Sequence, residues 1–332
     1  MAAMVEQIRY FGHPIPINSL AEHWIREYRV NRYLKLLSTV ELYERTADIV
    51  SNMLFLADDG KYRPRFRIRA DRIYAPIRNL DFLRIATDVW EEARLRYAVV
   101  DTPLDPTRLQ IAKRLTDESW CRRPDWATSL RLSLECYEQP RMLFRFSKTK
   151  WNLDFIKCGR THVSPASRYK DVESNAVRDD ELRLHWYDKN LAFQKLEVQD
   201  YYALCLSSEY DYRLFCDFQS DSCVAIKDPL AFSTRLRNAI ARHNNEHLDS
   251  RIRAMYQCPV IYVDPFSLDP PETVAEVHFC KHFRFAYQTE FRYVLTAVDE
   301  RQLQPFFLEL GSLEDIAEIV VAPEGSTLTT AI

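Results

Sequence analysis

Residues 278–298, HFCKHFRFAYQTEFRYVLTAV, form the longest strand-like stretch in the chain. In an extended segment, successive side chains point to opposite faces. Phe279, Phe283, Phe285, Tyr287, Phe291 and Tyr293 then share one face, and His278, Cys280, His282, Arg284, Gln288, Glu290 and Arg292 share the other. The aromatic face asks for burial, while the polar face needs either solvent or the floor of a cleft. Downstream, FFLEL (306–310) and IAEIVVAP (316–323) read as two further strands. Upstream, strands are expected at MLFRF (142–146), THV (161–163), 203–208, CVAIKD (223–228) and PVIYVD (259–264). WNLDFIKC (151–158) reads as a helix ending at Gly159, a natural left-handed cap, and 229–256 reads as another helix. Strands and helices without regular β–α alternation predict an α+β domain over 139–332.

Residues 1–138 have a different texture, and they predict a mainly helical domain that binds a target or partner. Leu20, Trp24, Ile25, Tyr28 and Leu34 recur at three- and four-residue spacing. Leu42, Ile49 and Met53 continue the stripe after Ser38-Thr39, a candidate N-cap. Helices are also expected at 80–99, 106–116 and 128–137. Between them lies KYRPRFRIRADRIYAPIR (61–78), with Arg63, Arg65, Arg67, Arg69 and Arg72. Alternation with Phe66 and Ile68 suits a short strand whose charged face is a solvated edge, with phosphate binding as the sharper alternative.

With 332 residues, 47% hydrophobic and 13% aromatic, the chain has the composition of a packed protein of two domains. A net charge of -3 argues against wholesale attraction to nucleic acid or membrane. The N-terminus does not read as a secretory signal, and no membrane span is expected. The eight cysteines include no C-x-x-C pair, which points to a reducing compartment and a cytoplasmic protein. Only five glycines occur, at 12, 60, 159, 311 and 325, so neither a P-loop nor a dinucleotide-fold cradle can be built.

Gln288-Thr289-Glu290 is the sole place where Gln or Glu stands two residues before Glu. Together with Arg145 in LFRFS (143–147) and Ser164 and Ser167 in THVSPAS (161–167), it resembles the ADP-ribosyltransferase superfamily. The branch in question carries an Arg–Ser–Glu signature with a late Gln/Glu-x-Glu motif. The resemblance implies a split β-sheet core and NAD bound in a cleft without a glycine-rich loop. It implies transfer of ADP-ribose to a macromolecular acceptor, whether RNA, DNA or protein. It also implies a bacterial toxin or anti-phage defence effector, with an inhibitor or antitoxin protein as a further partner. In that reading Glu290 grips the ribose 2′-hydroxyl as positive charge develops on the sugar, and Gln288 holds the acceptor. Arg145 holds pyrophosphate or ribose by bidentate donation, and Ser164 or Ser167 buttresses the glutamate. His162 and Tyr169 fit a His–Tyr–Glu variant of the same superfamily, and Tyr169 equally suits the nicotinamide or the core.

Other constellations compete. Asp179-Asp180-Glu181 suits magnesium in a nuclease, or a solvated helix start. His243 and His247 are four apart on a helix, and His278, Cys280 and His282 share a strand face, but neither set has the complete spacing of a zinc site. No metal is expected. A third reading makes the chain a non-catalytic interaction protein whose polar strand face meets solvent.

Overall fold

The computed structural model describes residues 7–10, 13–56, 61–64, 68–69, 72–73, 77–97, 139–171, 178–187, 190–247, 251–266, 277–299 and 303–322. The chain forms two compact units, Met1–Phe55 with Arg63–Pro124, and Leu56–Tyr62 with Asp125–Ile332. The helices expected at 106–116 and 128–137, and the boundary at 138, lie outside the described residues. Among the described residues, no helix is long and apolar enough to cross a membrane.

In the first unit, helices α1 (Ile17–Asn31), α2 (Thr39–Met53) and α3 (Ile77–Arg96) pack together. Ser38 caps α2 through a capping box: its hydroxyl accepts from the Glu41 N–H, and Glu41 accepts from the Ser38 N–H. The packing is charged as well as apolar. Glu91 and Glu92 of α3 are both fully buried, where Arg29 and Arg94 hold the first, and Arg32 and Arg96 the second. The arginine-dense segment contains the short strands Tyr62–Pro64, Ile68–Arg69 and Arg72–Ile73, the last two paired antiparallel.

The second unit is an α+β domain built on one eight-stranded antiparallel sheet. Its labelled elements are β1 (Leu143–Ser147), α4 (Thr149–Cys158), β2 (Arg160–Pro165), β3 (Arg183–Tyr187), β4 (Phe193–Glu197), β5 (Tyr202–Ser207), α5 (Arg213–Asp217) and β6 (Ser222–Ile226). There follow α6 (Pro229–Glu246), β7 (Ile252–Pro259), β8 (Ile261–Val263), β9 (Cys280–His282), β10 (Glu290–Ala297), β11 (Phe306–Glu309) and β12 (Ala317–Val321). The strand order is β7-β10-β5-β1-β6-β12, and β2 branches from β5 carrying β11. Both β1 and β2 use the same edge of β5: Phe144 faces Ser207 at one end, while Pro165 and Ser164 face Tyr202 and Ala203 at the other. The sheet therefore forks at β5.

Two expectations need correction. Residues 229–256 are not one helix, because α6 ends at Glu246 and 252–259 is a strand that pairs with β10. Nor is 278–294 one strand. A 3₁₀ segment, Phe283–Gln288, separates β9 from β10, and Thr289 leaves it in the left-handed region at φ 44. Four aromatic or apolar side chains of this segment, Phe283, Phe285, Ala286 and Tyr287, are buried in close succession with Gln288 beside them, a run that the tight turn directs inward.

The two faces of the sheet differ sharply. Leu206, Phe291, Tyr293, Leu295, Val224 and Leu143 join Phe155 of α4 and Phe232 and Leu236 of α6 in the main core. The opposite face carries a second cluster of Ala203, Val294 and Cys258, covered by Ala166, Tyr201 and Phe279. Gly159 ends α4 at φ 65. A Cβ built there would lie 2.1 Å from the Gly311 carbonyl oxygen, whereas one at Gly311, also at positive φ, would meet nothing within 4 Å. Gly311→Ala should therefore lose only the left-handed cost of ~1–2 kcal/mol, and Gly159→Ala clearly more. Urea unfolding of the two variants checks this, and equal shifts in midpoint would refute the close approach.

Candidate functional site: a buried charge cluster at Glu290

Glu290 is the first residue of β10, and its cross-strand partner is Ser207, the last residue of β5. The backbone around it is firmly held. The Glu290 N–H donates to the Tyr262 hydroxyl and its carbonyl accepts from Val260 N–H, both at 2.8 Å. Ser208 donates to the Thr289 carbonyl through both its N–H and its hydroxyl, each at 2.8 Å. The Ser207 Oγ lies 2.8 Å from the Gln288 carbonyl oxygen and 3.0 Å from Thr289 Oγ1. The Gln288–Thr289–Glu290 turn thus has one shape, fixed from two neighbouring strands.

Four buried charges meet at this turn. Arg292 Nε donates to Glu290 Oε1 at 2.8 Å, and Lys281 Nζ donates to Glu290 Oε2 at 3.0 Å. Arg292 also grips Glu181 with two nitrogens, at 2.7 and 3.1 Å, and Lys281 lies 3.5 Å from Glu181 Oε1. The remaining donor capacity of Arg292 goes to the His278 carbonyl and the Tyr201 hydroxyl. Lys281 reaches the Gln288 Oε1 at 3.4 Å, and Gln288 Nε2 donates to Tyr287 OH.

Burial alone would push the Glu290 carboxyl up, but Arg292 and Lys281 overcome it and hold the carboxyl well below its ordinary value. Asp179 goes the other way, pushed up to about 6 by burial and by Glu181. Burial and Arg292 bring the His278 imidazole down to about 4, so it is neutral at pH 7. It packs on Tyr201 at 4.4 Å, and its Nδ1 has no hydrogen-bond partner among the described residues.

The residues expected from the sequence divide into those the fold gathers and those it scatters. Gln288 and Glu290 are together. Tyr169 is half-buried on the same face, where Glu181, Glu290 and Arg292 all act on its hydroxyl. Arg145 is not there. It pairs across to Val224 on the core face, while Phe144, its neighbour, shares the face of Ser207 and Glu290. Its guanidinium lies 4.8 Å from the Phe155 ring under α4 and donates to Asn152, and burial lowers it to about 10.

Ser164 does share the Glu290 face, but it sits opposite Ala203. That is four residues, or about 13 Å, from Ser207 along the strand. Its hydroxyl lies 3.2 Å from Nδ1 of the exposed His162, whose ring packs on Phe307. Ser167 is exposed and donates to Asp200 at 2.6 Å. The serine placed beside the glutamate is Ser207.

The competing constellations do not assemble either. Asp180 pairs with Arg183 while Glu181 turns inward to Arg292 and Asp179 stays beside Glu181, so the three carboxylates do not converge on one site. His243 stacks on Phe306, and His282 accepts from the Arg284 N–H. Cys280 lies in a separate apolar cluster with Trp186 and Val263. Among the described residues no group of three or more His, Cys, Asp or Glu is placed to hold a metal ion. No family model, curated protein or solved structure matches the chain.

Lys281, Ser207, Tyr201 and Tyr262 are members of this site that the sequence did not single out. A folded-state carboxyl held below its ordinary 4.5 adds stability that is complete above that pH and lost as the pH falls below it. Glu290→Gln leaves two buried cations to share Glu181 as their carboxylate and should cost about 3–5 kcal/mol at pH 7. Denaturation of both proteins from pH 7 to pH 3.5 should show this gap narrowing in acid. A gap that stays constant or widens would contradict the ionised, paired glutamate.

Proposed function

We propose that the chain is an NAD-dependent ADP-ribosyltransferase whose catalytic carboxylate is Glu290, acting on a macromolecular acceptor of RNA, DNA or protein. The observation that carries the reading is the position of Glu290: it heads a strand at the fork of a split sheet, directly opposite Ser207, two residues after Gln288. Cleavage of the nicotinamide–ribose bond needs a carboxylate that is already ionised and rigidly aimed, because its grip on the 2′-hydroxyl must strengthen as the sugar becomes cationic. Arg292 and Lys281 supply the ionisation, and the hydrogen bonds of Ser207, Ser208 and Tyr262 to the turn supply the rigidity. Gln288 faces the acceptor. Arg145 has no part in this version of the site, since it belongs to the opposite face. The N-terminal helical unit is assigned to recognition of the acceptor or of an inhibitor protein, as expected of a toxin or defence effector.

One observation favours a second reading. All four charges of the cluster are paired within the chain and none is more than 9% exposed, as a purely structural ion network would be. Nicotinamide release from NAD by the full chain separates the two. Glu290→Gln should lose roughly a hundredfold or more, whereas Glu181→Gln, which breaks the same network, and Arg145→Ala should keep activity within about tenfold of the unaltered chain. Circular dichroism verifies that each variant is folded. An unaltered chain that releases no nicotinamide, or a folded Glu290→Gln as active as its parent, ends the catalytic reading in favour of the structural one.

A further inference from the structure

Lys281 comes from outside the strand that carries the Gln-x-Glu pair. It is the middle residue of β9, which pairs in parallel with β8 so that Lys281 stands beside Tyr262. This small strand pair holds Glu290 twice, through the Tyr262 hydroxyl on its backbone and through Lys281 on its carboxylate. An ammonium group has three donors and no acceptor. Its three oxygen neighbours are Glu290 Oε2 at 3.0 Å, Gln288 Oε1 at 3.4 Å and Glu181 Oε1 at 3.5 Å. The cation also lies 4.7 Å from the centre of the Phe285 ring. The donor set decides which way the Gln288 amide points, since only its oxygen can face a cation. The amide nitrogen then points to the Tyr287 hydroxyl.

We propose that Lys281 is the positioning residue of this site, a buried ammonium group that locks the Glu290 carboxylate and the Gln288 amide into one joint orientation. This rests on the reading of Glu290 as the catalytic carboxylate. Arg292 does not suffice alone, because it is committed to Glu181, to the His278 carbonyl and to the Tyr201 hydroxyl as well as to Glu290. The groups that act on Glu290 include Arg292 on its own strand, Lys281 on β9, Cys205 on β5, Tyr169 and Tyr201, with Glu181 bridging the two cations and Asp179 acting on Lys281. Of these only Arg292 and Lys281 are cationic. Loss of the ammonium leaves the carboxyl with half its counter-charge, so burial raises it toward the accessible acid range.

The test is the pH–rate profile of nicotinamide release by the full chain and by Lys281→Met, Lys281→Gln and Lys281→Arg. The unaltered chain should show no limb from Glu290 down to the pH at which it unfolds, and the whole series is also run in Asp179→Asn, which removes the limb near pH 6 that Asp179 carries. Lys281→Met and Lys281→Gln should fall roughly ten- to a hundredfold at pH 7 and acquire an acid limb, and Lys281→Arg should remove that limb and restore most of the rate. The inference is overturned if the neutral variants keep the parental profile and lose rate only in step with their folded fraction. It is equally overturned if neither neutral variant folds, which would make Lys281 a structural ion. Absence of release by the unaltered chain has a different meaning: it removes the Glu290 reading itself.

Discussion

The desolvation of Arg292 sets the terms for the second unit. Its guanidinium is completely buried in the middle of the sheet, with Glu290 and Glu181 5% and 9% exposed beside it. Moving such ions out of water costs several kcal/mol each even after relaxation, and attraction repays this only where geometry is good and every proton has an acceptor. Here the repayment is nearly complete. Two carboxylates face two cations, and the arginine spends its donors on Glu290, Glu181, a backbone carbonyl and a tyrosine. No one of these partners can be removed without exposing another to an apolar surround. That is why β5, β9, β10 and the segment before β3 must all arrive together.

The fork in the sheet decides which side chains meet there. At the end of β5 where β1 pairs, the row Glu290, Ser207, Phe144 and Ala225 points away from the main core. One residue along, Phe291, Leu206, Arg145 and Val224 point into it or toward the helices above it. A single step of register along β1 exchanges Phe144 for Arg145, so the sheet's period of two separates the arginine from the glutamate completely. The arginine is not wasted in its place, since its planar cation covers Phe155 and its donor ties α4 to the sheet through Asn152.

Those elements follow closely what the sequence makes legible. The strands expected at 142–146, 161–163, 203–208 and 223–228 lie within one or two residues of those found, and they, the Gly159 cap and the Ser38 N-cap are all local signals, which survive folding. Within β10 the alternation of Glu290 and Arg292 against Phe291 and Tyr293 also holds, because a strand buried on both sides still obeys the pleat. The failures are of another kind. Lys281 carries an odd number, so period-two counting puts it among the aromatics. The 3₁₀ turn at 283–288 and the left-handed Thr289 break that count and wrap the ammonium back onto Glu290. Ser207 is marked by nothing in its own segment, since cross-strand partnership is a property of register, which no local pattern encodes. Arg145 and Ser164 were plausible by type, and it is strand parity and distance along β5 that take them away.

A sheet of this size does not need such a cluster in order to stand. Its other face is held mainly by Phe291, Tyr293, Phe232 and Leu236, with the Arg145 guanidinium over Phe155 and no ion pair in that cluster, and a well-packed apolar substitute for buried ion pairs is often neutral or stabilising. The charges are therefore an expense that packing alone does not explain. Their arrangement is also uneven. Arg292 is saturated, yet His278, which lends it a carbonyl, leaves its own Nδ1 without a partner among the described residues, and Asp179 sits at the margin with its proton held up to about 6. Purely structural networks are under pressure to satisfy every buried polar atom. The network closes around its carboxylate but leaves a neutral imidazole and a titratable carboxyl beside it, and under the proposed reading of Glu290 these are the groups that a polar ligand would meet.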